Sequence, residues 1–318
     1  MEELSIYFTS PVEEDNFKHS TGQKSFDELC ARFGLENLSE YAKVETQDRD
    51  ESHGYEHLKK VAVNAFLIID DQIELACGIF SQLKREGCHV HSANLLAAKM
   101  QIIRHDEYDF RQKSHRIRLL QLCELMKFIE QSWDYESEDK REMIRKIAFA
   151  AGLTHDLIDR KYAEDERDLQ EQKDNLEHAL RGMFVDSHVT FIMSIIENVS
   201  FSVEKRDGYP HFLENLLPVR DAVSDADKIE AIGPIGIKRC AGYTIKQYKK
   251  IGQPLELDEL KRKVAEHANE KLLRLARDYI HTQAGKQMAL PMHKFMLNCC
   301  RKLEKDLRET VLSENFDL

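Results

Sequence analysis

Along most of the chain, apolar residues recur three and four positions apart, the spacing that gathers them on one face of an α-helix. In KREMIRKIAFAAG, for instance, Met143, Ile144, Ile147, Ala148 and Ala151 fall on one side. This spacing predicts helices over about 56–84, 93–103, 116–131, 139–160, 168–184, 188–199 and 225–249, and an interrupted helical run over 257–312. No convincing run of alternating residues marks a strand, and only 13 glycines and 6 prolines punctuate the sequence. The expected fold is all-α, without internal repeats. Residues 1–45 are mixed and weakly periodic and read as an N-terminal extension with one short helix, FDELCARFG; 46–305 reads as the core domain and 306–318 as a C-terminal tail.

Charge narrows the partners. Across 318 residues, 46 Lys and Arg face 57 Asp and Glu, a net charge of −11. Such a surface repels duplex nucleic acid and anionic membranes, so an anionic substrate requires a locally positive site such as a metal or a lysine cluster. Seven cysteines, an odd number with no C-x-x-C, argue for a reducing compartment rather than a disulfide framework or thiolate zinc. The start, MEELSIYFTSPVEED, lacks the features of a signal peptide, and VAVNAFLII is too short to span a bilayer, so a cytoplasmic location is expected.

The chemistry starts at LTHDLID. His155 and Asp156 arrive where the apolar face of KREMIRKIAFAAG should continue, and alone they would read as a hydrogen-bonded core pair. Two other stretches offer partners. DESHGYEHLKKV places His53 and His57 four apart on one helix face, and VSDADKIEAIG carries Asp225 and Asp227 at the expected start of a helix. His57, His155, Asp156 and Asp227 together form a mixed nitrogen and oxygen set suited to one divalent ion: Mn, Co, Fe, Ni or Mg. Asp225 and Asp227 are turned about 200° apart on a helix, so only one can face the set. Asp227 is the choice, with Asp225 left as an N-cap or supporting acceptor. Asp159, three after Asp156, is expected on the same face one turn on, where it would serve as general acid or base.

These stretches resemble the HD superfamily of metal-dependent phosphohydrolases, and most of all the small bacterial HD hydrolases that include nucleoside triphosphate pyrophosphohydrolases. The family pattern, H-D-x-x-H-x-x-R-V, H-D-I-x-D-x-K, I-I-x-N-I-S-F and D-A-D-R-L-D-A-I-G-A-I-G-I-A-R, is matched in order by HGYEHLKKV, HDLIDRK, IIENVSF and DADKIEAIGPIGIKR. The resemblance implies an HD fold with His57, His155, Asp156 and Asp227 as metal ligands. It also supports Asp159, and assigns Lys161 and Arg239 to the basic motif positions that would clamp phosphate. Lys60 stands where the family has arginine, Gly54 where it has aspartate, and Pro234 where it has a small residue. Glu197 and Asn198 end an otherwise apolar helix, where they would either line a substrate pocket or cap the helix.

His57 and His155 stand much further apart than in the resembled branch, so an insertion is expected over about 84–134. Its basic residues Arg104, Arg111, Lys113, Arg116 and Arg118 would form a lid over a polyphosphate, with Arg111 and Lys113 gripping substrate, or a homo-oligomer contact; the bland reading is a solvated face. His89 and His91 lack a third ligand nearby. The expected function is hydrolysis of a nucleotide-like phosphoanhydride or phosphoester, on the family's precedent nucleoside triphosphate to monophosphate and pyrophosphate. The competing readings are a nucleotide-binding regulator with little catalysis and an HD-type di-iron oxygenase drawing on His178 and His188.

Overall fold

The spacing of apolar residues is realised as helices. In this computed structural model, which describes residues 25–49, 53–85 and 137–316, no strand occurs among the described residues. The chain divides into two compact units. The larger comprises Ser25–Asp227 with Thr282–Ala284. It contains α1 (Phe26–Phe33), α2 (Glu36–Glu45), α3 (Tyr55–Arg85), α4 (Glu138–Thr154), α5 (Glu166–Arg181), α6 (Asp186–Ile196), α7 (Phe201–Asp207) and most of α8 (Leu217–Glu230).

Local signals set these boundaries. Ser25 and Glu28 form a reciprocal capping box at the start of α1, and Gly34 closes that helix in the left-handed region at φ 62°. The stretch expected to carry one short helix therefore holds two, α1 and α2, from residue 25 onward. Phe33 of α1 meets Phe66 of α3 and Phe149 of α4, with ring centroids 6.0 and 5.6 Å apart, tying α1 into the core.

The central pair is α3 on α4. The buried faces are Leu58, Val61, Ala62, Ala65, Phe66 and Ile69 on one helix and Ile144, Ile147, Ala148, Ala151 and Gly152 on the other. A Cβ on Gly152 would stand 2.8 Å from the Ala62 Cα and 3.1 Å from the Val61 carbonyl oxygen, so the two backbones touch there. Nearer the start of α4, the buried Arg145 spans the pair, donating to Asp70 at 2.6 Å, Glu74 at 3.0 Å and Glu138 at 2.9 Å.

A second buried arginine fixes the segment after α6. Arg220 donates to Glu204 of α7 at 2.7 Å, to Asp221 at 3.0 Å and to the Asn198 carbonyl at 2.8 Å. The Tyr209 hydroxyl donates to Asp221 at 2.6 Å, and burial followed by the Asp221 charge raises its pKa. This network anchors α8.

The second unit, which among the described residues comprises 228–281 and 285–316, contains α9 (Gly233–Lys250), α10 (Leu257–His267), two π-helical turns at Ala268–Leu272 and Leu275–Tyr279, and most of α11 (Gln283–Phe316). The helix expected over 225–249 is two. Gly233 adopts φ 76° and Pro234 sits in the first turn of α9, so the run breaks between Glu230 and Gly233. A Cβ on Gly236 would lie 2.4 Å from the Ala231 carbonyl oxygen, so the turn into α9 leaves no room for a side chain. Cys240, Cys299 and Cys300 are unbridged, and burial pushes each thiol up to about 11.

Among the described residues no helix is long and apolar enough to cross a membrane. The helices expected over 93–103 and 116–131, His89, His91, and the basic residues Arg104, Arg111, Lys113, Arg116 and Arg118 lie outside the described residues, as do 1–24.

Replacing Arg220 by Met should strand Glu204 and Asp221 as buried, uncompensated carboxylates. We expect a loss of about 3–5 kcal/mol, measured by urea unfolding, with Glu204→Gln costing less because the arginine keeps Asp221.

Candidate metal centre

Three helices of the larger unit bring four side chains together. His57 sits in the first turn of α3, His155 and Asp156 follow the last residue of α4, and Asp227 lies near the end of α8. The Nε2 of His57 is 3.7 Å from Asp156 Oδ2 and 3.5 Å from Asp227 Oδ1; the Nε2 of His155 is 3.4 and 3.6 Å from the same two atoms. Ligand atoms of His57, His155 and Asp156 all fall within 4.8 Å of one another, and Asp227 joins through both imidazoles.

Those separations are long for hydrogen bonds, and they lie at or up to about 0.3 Å beyond the roughly 3.0–3.4 Å at which an ion about 2.1 Å from each ligand would hold neighbours. The imidazoles are buried, whereas the Asp156 and Asp227 side chains are 24% and 25% exposed, so the cluster opens on its carboxylate side. The Nδ1–H of His155 donates to the Gly152 carbonyl at 2.9 Å. That bond fixes the tautomer and leaves the Nε2 lone pair facing the carboxylates with no hydrogen-bond partner. A buried, unpartnered acceptor aimed at two carboxylates is the donor chemistry of a metal ligand, so the residues fit a divalent ion.

The carboxylates draw positive charge to this spot, a proton on His155 or an ion in its place. Burial opposes charge on His155, yet Asp156 and Asp227 outweigh it and raise its pKa to about 9. For Asp227 burial works the other way, and the neighbouring His155 and His57 hold its carboxyl well below the usual range. His57 is held less completely: its Nδ1 is buried and has no partner among the described residues, and Gly54 offers no side chain to it.

Two expected placements change. α4 ends at Thr154, so Asp159 is on the turn beyond it rather than on the helical face one turn on. Its Oδ1 accepts from the Lys161 N–H at 2.8 Å, an Asx turn that competes with helix continuation. Asp225 and Asp227 lie late in α8, not at its start, because Leu217, Val219, Ala222, Val223 and Ala226 extend the apolar face upstream, with Pro218 in the first turn. Asp225 is no N-cap. It points the other way from Asp227, fully buried, and accepts from the backbone N–H and hydroxyl of Thr282, both at 2.7 Å.

The remaining expected residues separate. Lys161, 69% exposed, lies 3.9 Å from Asp159 Oδ2 and 3.5 Å from His53 Nε2. Lys60 is exposed on α3. Glu197 caps α6, pairs with Lys173 and lines a polar cavity of about 520 Å³ between α5 and α6 with Arg181, Thr190 and Ser194. Asn198 takes the capping alternative, its amide donating to the Ser194 carbonyl at 2.9 Å. Arg239 belongs to the second unit and donates to the Glu230 carbonyl at 3.4 Å. His178 is exposed near the end of α5, and His188 packs against Phe191. Sequence reasoning missed Arg49, whose guanidinium donates to the carbonyls of Asp156 and Leu157 at 2.5 and 3.2 Å. No local motif marks a residue so distant in sequence.

Fold and cluster together define an all-α protein with a candidate divalent-metal centre built from two histidines and two carboxylates. Over 162 residues, 51% of this chain and 72% of the relative, the sequence is 34% identical to the uncharacterised protein YpgQ of Bacillus subtilis (strain 168), and the chain belongs to the YpgQ family. No family model matches the chain. Solved structures similar to it include one from Lactobacillus plantarum (TM-score 0.47, 18% identity, 86% of this chain and 97% of that one) and B. subtilis YpgQ in complex with ADP (TM-score 0.44, 18% identity, 89% and 97%).

Two carboxylates on opposite faces of one helical turn should respond differently to the same change. Asp227→Asn should abolish tight Mn²⁺ binding in equilibrium dialysis at nearly unchanged stability. Asp225→Asn should keep the ion and lose about 1–3 kcal/mol in urea unfolding. Gly152→Ala should damage both, since its Cβ meets backbone on α3.

Proposed function

We propose that the chain is an HD-type, metal-dependent phosphohydrolase acting on a nucleotide. The observation that carries this reading is the convergence of His57, His155, Asp156 and Asp227, with His155 locked by Gly152 so that its lone pair faces the carboxylates. Kinship to YpgQ, a protein crystallised with ADP, supports a nucleotide as substrate. The order of the four sequence motifs supports the HD assignment, and with it hydrolysis of a nucleoside triphosphate to monophosphate and pyrophosphate.

A divalent ion held by the four side chains would acidify a water and polarise a phosphoryl oxygen. The chain's own groups do the rest. Asp159 has one carboxylate oxygen engaged by the Lys161 N–H, leaving Oδ2 to hold a proton taken from the attacking water or to return one to the leaving oxygen. Lys161, exposed on a long stem beside Asp159, swings onto phosphate oxygens and neutralises them. Arg239 is assigned to phosphate on its motif position alone.

A di-iron oxygenase would need a second ligand group. Among the described residues no other set of three His, Cys, Asp or Glu ligands gathers, and neither His178 nor His188 belongs to the one that does. The regulator reading is separated by experiment: release of phosphate or pyrophosphate across a nucleotide panel with Mn²⁺, Co²⁺ and Mg²⁺, with Asp156→Ala as blank. Hydrolysis in the parent and none in the blank is expected, and nucleotide binding without release would favour the regulator. Asp159→Asn should lower kcat by about 100-fold while metal affinity stays that of the parent. Equal loss of metal would make Asp159 a ligand instead.

A further inference from the structure

The turn after α4 carries both a proposed ligand and the proposed proton carrier, and no helical hydrogen-bond ladder rigidifies it. One end is tied by the bond from His155 to the Gly152 carbonyl and by the Leu157 N–H donating to the Thr154 carbonyl at 3.1 Å. The other end is held by Arg49. Its two Nη groups straddle the consecutive carbonyls of Asp156 and Leu157, at 2.5 and 3.2 Å, a fork that fixes the orientation of the peptide leaving Asp156. Its guanidinium also lies over the Tyr162 ring, 4.5 Å from the centroid, and the Tyr162 N–H donates to the Asp159 carbonyl at 3.0 Å. One side chain thus joins the turn bearing Asp156 to the turn bearing Asp159 and Lys161.

We infer that Arg49 is a positioning residue for the metal centre: by clamping the Asp156 and Leu157 carbonyls and stacking on Tyr162, it holds the Asp156 carboxylate toward the ion and sets Asp159 beside it. This rests on the metal reading above, but not on the identity of the reaction. The sign of the effect separates it from simple electrostatics. A cation next to a cation site repels the ion, so removing Arg49 by charge alone would tighten metal binding; loss of positioning weakens it.

The test is Mn²⁺ affinity of the full chain without nucleotide, by titration calorimetry, for the parent and for Arg49→Met, Arg49→Lys and Tyr162→Ala, with thermal unfolding of each metal-free protein alongside. We expect Kd to rise about tenfold or more in Arg49→Met. Arg49→Lys, which keeps the charge but has no fork, should lie between parent and Met, and Tyr162→Ala, which removes the platform, should weaken binding less than Arg49→Met. An unchanged or lower Kd in folded Arg49→Met and Arg49→Lys overturns the inference. Should Arg49→Met fail to fold, the Lys and Tyr162 variants decide on the same criterion. Absence of Mn²⁺ binding in the parent overturns the metal reading and the inference with it, whereas Mn²⁺ binding without nucleotide hydrolysis overturns only the phosphohydrolase.

Discussion

The backbone contact between Gly152 and Ala62 is the constraint on which the centre depends. It brings α4 against α3 with no side chain between them, at a point one turn and a fraction from His57 and three residues before His155. Gly152 also offers the carbonyl that orients His155. A single residue without a side chain therefore sets both the distance between the two helices and the tautomer of one ligand.

Charges are handled in the same manner, by enclosing cations among carboxylates. Arg145 across α3 and α4 and Arg220 between α7 and α8 are both buried, and each meets at least two acidic side chains. The four-residue cluster differs in having no fixed cation: two carboxylates face two imidazoles, and their charge is met either by a proton on His155, whose pKa they raise to about 9, or by an ion. In a chain already bearing net charge −11, those carboxylates favour a cation there over anything else.

Most of the helical framework was legible from spacing, because a 3.6-residue period survives any tertiary arrangement: the helix expected over 56–84 is Tyr55–Arg85. Helix ends were less legible where side chains rewrote the backbone. Nothing in the periodicity reveals that the Asp159 carboxylate would capture the Lys161 N–H and keep 155–162 out of the helix, whereas the earlier start of α8 is carried by the apolar spacing of Leu217, Val219, Ala222 and Val223 upstream of Asp225. The four clustered residues were legible because their chemistry is unusual on apolar faces. Arg49 and Thr282 were not, since an arginine in a turn and a threonine before a helix are ordinary locally and acquire meaning only from partners far along the chain.

The quartet of Glu204, Tyr209, Arg220 and Asp221 also shapes how this sequence can diverge. The members satisfy one another's charges, so a lineage that loses one inherits an unbalanced charge or a stranded hydroxyl in the interior, and the defect calls for a second change at a partner up to sixteen residues away. These four positions should drift together or stay fixed together, and descendants that have replaced them should carry an apolar set in their place rather than a mixture.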